Sequence, residues 1–125
     1  MANPSKINID EKFGKFSEHW RPKIVAELNG QEFKLAKIKG EYPFHAHEGE
    51  DELFFCWKGS FVLEYETGES VHVGEGEAIV VPKGVVHRPV AEEECHIFLI
   101  EPKDLKNSGN ADVDAVYDAP IGEWI

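Results

Sequence analysis

Residues 40–59 read Gly-Glu-Tyr-Pro-Phe-His-Ala-His-Glu-Gly-Glu-Asp-Glu-Leu-Phe-Phe-Cys-Trp-Lys-Gly, and three of these side chains could act together on a cation. His45 and His47 are one residue apart, so extended backbone turns both imidazoles to the same side. Glu52 follows across a short acidic turn, and His87 supplies a fourth candidate further along the chain. Imidazole nitrogens grouped with a carboxylate oxygen are a donor set suited to a divalent transition metal.

Donors so far apart in sequence meet only on a framework, and the chain from Pro22 to Glu101 has the rhythm of one. Ile24, Ala26 and Leu28 alternate with Val25 and Glu27, Asn29-Gly30 predicts a two-residue hairpin turn, and Phe33, Leu35 and Ile38 mark the returning strand. Further strands are expected over 52–57, 60–66, 69–73, 77–81, 87–91 and 95–101, with turns at Lys58-Gly59, Thr67-Gly68, Gly74-Glu75-Gly76 and Pro82-Lys83-Gly84. About eight short strands with almost no helix between them predict an antiparallel sandwich or barrel. A closed sheet of that size is just wide enough to hold one small ligand. Ahead of it, residues 1–21 form an extension with a short helix expected over 10–16, capped by Asp10 and fastened to the body by Phe16 and Trp20. Beyond Pro102 the alternation stops. Residues 102–125 read as an irregular polar tail, with Val113, Val116, Tyr117, Ile121 and Trp124 as anchors that wrap the barrel or a neighbouring subunit.

The 125 residues are expected to form one domain around one core. Twenty-four acidic residues against thirteen Lys and Arg give a formal charge of -11, which repels nucleic acid and anionic lipid alike. The longest apolar runs, 53–57 and 97–100, are far too short for a membrane span. The first residues, Met-Ala-Asn-Pro-Ser-Lys, lack the basic and apolar regions of a secretory signal, so a cytoplasmic location is expected. Cys56 and Cys95 have neither zinc-ribbon nor redox-pair spacing and are expected as free thiols in strands.

With these residues in view, the chain resembles the cupin superfamily of small jelly-roll barrels, whose two motifs run G-x5-H-x-H-x3/4-E-x6-G and G-x5-P-x-G-x2-H-x3-N. The first is matched by Gly40, His45, His47, Glu52 and Gly59, and the six-residue gap before Gly59 selects Glu52 over Asp51. The second is matched by Gly76, Pro82, Gly84 and His87. There are two departures: Gly40 stands one residue closer to His45 than the pattern asks, and Ala91 replaces the final Asn. The resemblance covers roughly residues 22–101 and implies an all-β antiparallel jelly-roll in which His45, His47, Glu52 and His87 bind one metal ion inside the barrel.

Iron, manganese, nickel, cobalt, copper and zinc all suit such ligands, and affinity alone does not choose among them. Phe54, Cys56, Phe61 and Tyr65 are candidate cavity-lining residues beside the ion, with simple core packing as the alternative for each. Alternation turns Arg88 outward, and His72 and His96 fall in strands without a partner motif. The functional expectation is a metal-dependent enzyme, oxygenase-like or isomerase-like, acting on a small polar molecule; the alternative is a non-catalytic module that binds or senses a small ligand or the metal. Exposed sheet edges in so small a barrel lead to the further expectation of a homodimer.

Overall fold

A computed structural model describes residues 5–103, 108–109, 117, 119 and 122–125 of the chain. Its strands are β1 (Lys23–Leu28), β2 (Gln31–Glu41), β3 (Glu52–Lys58), β4 (Ser60–Tyr65), β5 (Ser70–Gly74), β6 (Ala78–Val81) and β7 (His87–Pro102), preceded by one helix, α1 (Ile9–Phe13). All strand pairs are antiparallel, in the order β1-β2-β7-β3-β6, with β4 joining β7 to β5. Asn29 and Gly30 both take positive φ, 49° and 77°, as a two-residue turn between right-twisted strands requires.

The expected strands over 87–91 and 95–101 are a single strand, so the sheet has seven strands and not eight. The acidic run Glu92–Glu94 suggested a turn, yet it lies within β7. Ile38 of β2 pairs with Cys95 while Gly40 pairs with Ala91, so all three glutamates stand opposite Lys39 alone. This irregularity bends β7 without ending it, because both halves keep β2 as their partner. The bend lets one strand serve three: its first residues pair with β4 and its last with β3.

Both faces of β2 are covered, and each cover forms a cluster. Ala36 and Ile38 face the barrel interior, with Phe54, Cys56, Phe61, Leu63, Ile97 and Leu99. Leu35 faces the other way and packs with Phe13, Phe16 and Val25 beneath α1. The helix is shorter than expected and begins earlier: Asn8 caps it, its Oδ1 accepting from the Glu11 amide at 3.0 Å. Asp10, the expected cap, accepts instead from the Trp57 indole N–H at 2.7 Å and pins the helix to β3. Phe13 stacks on His96 with ring centroids 4.6 Å apart, which gives that histidine a packing role; His72 is exposed on β5.

The described part of the tail returns to its own barrel. The Ile24 amide donates to Glu123, the Ile125 amide donates to Ile24, and Glu123 pairs with the buried Lys23. Tyr117 packs on Trp20 and Tyr42, while Trp124 pairs along β1 and stays half exposed. Val113, Val116 and Ile121 lie outside the described residues.

Leu35, fully buried, is what the helix and the sheet share. Leu35→Ala is expected to cost about 2–5 kcal/mol of stability. Urea denaturation checks it: the midpoint should fall with little change in slope.

Candidate metal centre

The loop between β2 and β3 carries His45 and His47, and three main-chain bonds keep it extended. His45 and His87 exchange amide-to-carbonyl hydrogen bonds of 3.0 and 2.9 Å, forming an isolated bridge that sets His45 beside the start of β7. The Gly84 amide donates to the His47 carbonyl at 2.8 Å and ties the loop to the turn before His87. Glu52 opens β3, held in register opposite Val81. Asp51 points elsewhere and accepts from the Lys83 amide at 2.9 Å.

These connections group three of the sequence-identified donors and set the fourth, His87, beside them. One ligand-type atom from each of His45, His47 and Glu52 lies within 4.8 Å of the others. His87 joins them from the far side: its Nε2 is 3.6 Å from Glu52 Oε1, and its ring centroid is 4.4 Å from that of His45. The four side chains are almost fully buried, between 1% and 5% exposed.

Hydrogen bonds to main-chain carbonyls fix two of the tautomers. A carbonyl only accepts, so neutral His45 must donate Nδ1–H to Pro43 at 3.0 Å, and His87 must donate Nδ1–H to Val85 at 2.8 Å. Each ring therefore turns a bare Nε2 lone pair outward, the arrangement that orients a metal-binding imidazole. Burial pushes all three histidines below their ordinary range, His45 to about 3, with the neighbouring imidazoles adding to the shift at His45 and His47. The rings are thus neutral at physiological pH, and the short approaches of His47 and His87 to Glu52, at 3.4 and 3.6 Å, are not ion pairs.

That leaves several polar atoms uncompensated. Both ring nitrogens of His47, Nε2 of His87 and Oε1 of Glu52 are buried without a hydrogen-bond donor or acceptor among the described residues. Leaving such groups unpaired is costly. A divalent cation accepts electron pairs from nitrogen and oxygen at once, so the donor set fits one.

Beneath Glu52 lies a feature that spacing did not identify. Lys34 on β2 is 4% exposed and donates to Glu101 Oε1 on β7 at 2.8 Å, with Glu32 Oε1 3.7 Å away. Glu101 in turn meets the carboxyl of Glu52. Burial raises both carboxyls; at Glu101 the charge of Glu52 adds to the rise, while Lys34 opposes it at both. In the fold Lys34 is in step with Ala36 and Ile38, and Glu101 with Leu99 and Ile97, all interior positions, but Phe33 and Leu35 make the other phase of β2 equally apolar, so alternation carried no signal for Lys34.

A narrow cavity of about 30 Å³ adjoins the cluster, room for roughly two waters. His45 and Glu52 form its polar end, and Trp20, Ala36, Ile38, Tyr42, Phe54 and Leu99 are among its walls. The Trp20 indole donates to the Lys39 carbonyl and the Tyr42 hydroxyl to that of Tyr117, so these aromatic walls turn their polar atoms to the backbone. Of the four candidate lining residues, Phe54 lines this cavity. Cys56 and Phe61 sit in the core cluster, and Tyr65 packs against its edge, beside a separate surface depression. Arg88 points outward, bonded to Glu64 at 2.8 Å and stacked over Phe44. Two further residues thus contribute walls: Trp20, expected to pack the N-terminal segment with ligand stacking as its alternative, and Tyr42, which the sequence reading missed.

In the metal-free protein the His45 ring should stay neutral from pH 8 down to pH 5. Nitrogen chemical shifts of the imidazole check this; a titration step inside that window would contradict the burial argument.

Comparison with known proteins agrees with this architecture. The cupin domain family model matches residues 29–101. A cupin-2 domain protein from Shewanella frigidimarina is 41% identical, with a TM-score of 0.76 over 78% of this chain and 94% of that one. Protein NMB1881 from Neisseria meningitidis is 35% identical, with a TM-score of 0.72 over 79% of this chain and all of the other, 100%. The Bacillus subtilis protein YdbB is 31% identical over 80 residues, 64% of this chain, and the match spans 65% of YdbB. The family match, the antiparallel β-fold and the short N-terminal helix agree: this chain belongs to the cupin family.

Proposed function

We propose that this cupin binds one divalent transition metal through His45, His47, Glu52 and His87 and acts as a metal-dependent enzyme on a small molecule, oxygenase-like or isomerase-like. The observation that carries the proposal is the grouping of one ligand-type atom each from His45, His47 and Glu52 within 4.8 Å of one another, with His87 Nε2 3.6 Å from Glu52 Oε1 and buried atoms of His47, Glu52 and His87 left without hydrogen-bond partners among the described residues. A bound ion would supply Lewis acidity, or electron transfer if redox-active, beside the cavity. The chain's own residues do the rest. Pro43 and Val85 hold two imidazoles in their ligating tautomer, and the walls around Trp20 and Phe54 exclude water and present an apolar surface. A substrate's polar atoms would therefore be directed to the end formed by His45 and Glu52.

Among the described residues, the cavity offers no carboxylate or imidazole beyond the ligands themselves. That favours chemistry centred on the ion over chemistry needing a separate base, and it also suits the alternative of a module that binds without turnover. Metal analysis of protein purified without an affinity tag, followed by dioxygen uptake and turnover assays on small molecules, separates the two. The proposed working unit is a cytoplasmic homodimer. Exposed Val71 on β5 and Val80 on β6 support the pairing.

His47→Ala and His87→Ala should each lose most of the bound metal by elemental analysis. Retention of a full equivalent by either would remove that residue from the ligand set.

Competition from protons follows from the shifts at the site. The sequence leads one to expect metal affinity to fall below about pH 6.5, where an ordinary histidine protonates. Here the imidazoles stay neutral further down, while the raised Glu52 holds its proton to higher pH than an ordinary carboxyl. Metal uptake at pH 5 should therefore release protons from the carboxyls, and Glu52→Gln should release fewer. Calorimetry in buffers of different ionisation enthalpy measures the number; no release from the wild-type protein would contradict the assignment.

A further inference from the structure

Glu101 is 0% exposed and has different neighbours on its two sides. Oε1 accepts from Lys34 Nζ at 2.8 Å. The Glu52 carboxyl lies against it, and Glu101 Oε2 and Glu52 Oε1 are both buried without a hydrogen-bond partner among the described residues. The sheet register produces this chain of contacts. Glu101 stands opposite Glu32 and Lys34 opposite Leu99, so Lys34 reaches its partner diagonally across the β2/β7 pair, and Leu53 opposite Ile100 places the start of β3 beside them.

A buried charged cluster is weak ground for stability, because well-packed apolar residues of similar volume often serve as well. Contact with a ligand carboxylate is a role that apolar residues do not have. Carboxylates that ligate metals are themselves oriented by hydrogen-bonding neighbours.

We propose that Glu101, anchored by Lys34, is the positioning residue of Glu52: lying against that carboxyl, it keeps Oε2 toward His47 and Oε1 toward His87. The inference rests on the metal reading given above and extends it to a second layer, Lys34 and Glu101, contributed by β2 and β7. Glu101 touches neither substrate nor ion. It acts only through Glu52.

The test uses Co(II) alone as the probe, with affinity measured against a competing chelator and coordination read from the visible absorption of the bound ion. Glu101→Leu removes the contact and should weaken Co(II) binding by about 10- to 100-fold while changing the cobalt spectrum, as Glu52 loses its orientation. Glu101→Gln keeps the length, can still accept from Lys34 and can offer an amide N–H to Glu52, so affinity and spectrum should return close to wild type. A folded Glu101→Leu protein with wild-type affinity and spectrum would overturn the proposal, as would a Glu101→Gln protein as weak as Glu101→Leu. If Glu101→Leu does not fold, Lys34→Met removes the anchor and leaves both carboxyls in place. It should shift the spectrum in the same sense, and an unchanged spectrum would again overturn the role. Failure of the wild-type protein to bind Co(II) would instead defeat the metal reading itself, and this inference with it.

Discussion

Burying ionisable side chains in an apolar β-core is the constraint on which the rest of this structure depends. Such groups are expensive to desolvate, and each must be neutralised, hydrogen-bonded or matched by a charge. The three histidines lose their charge through burial, and two of them give their ring N–H to a main-chain carbonyl. Lys34 offsets part of the negative charge of Glu32 and Glu101. What remains uncompensated is a group of lone pairs at the meeting point of β3, β7 and the loop after β2. The placing of those lone pairs follows from sheet register, so the fold and the centre have a common origin.

The candidate ligands were legible because their spacing is local and chemical. His45 and His47 share a face in any extended segment, while the choice of Glu52 over Asp51 came from the resemblance to the cupin motif; Asp51 turns to the Lys83 amide. The second layer was not legible, for a physical reason. β2 is covered on both faces, so Phe33 and Leu35 in one phase and Ala36 and Ile38 in the other both read as buried. With apolar residues in either phase, alternation could not show which way Lys34 points. Glu101 was hidden similarly, at the end of a strand where a charged residue ordinarily meets solvent. β7 was misread as two strands because a run of three glutamates resembles a turn, when it is an outward irregularity opposite Lys39. The helix starts at Ile9 with Asn8 as its cap, while Asp10, the expected cap, is engaged by Trp57, distant in sequence.

Cys56 and Cys95 illustrate proximity without reactivity. Their sulfurs are 3.7 Å apart on neighbouring strands, both fully buried. Burial pushes both thiols upward, strongly at Cys95, which removes the thiolate that exchange or oxidation would require. They serve as small apolar residues in the interior cluster.

The bent β7 also determines when the centre can exist. It carries His87 near one end and Glu101 near the other, and it pairs with β2, β3 and β4. A chain emerging from the ribosome as far as β6 already has His45, His47 and Glu52, yet lacks the strand that sits between β2 and β3 and sets them in register. Closure over such sequence separations is entropically slow. The four candidate ligands can therefore come together only after β7 has been made and paired.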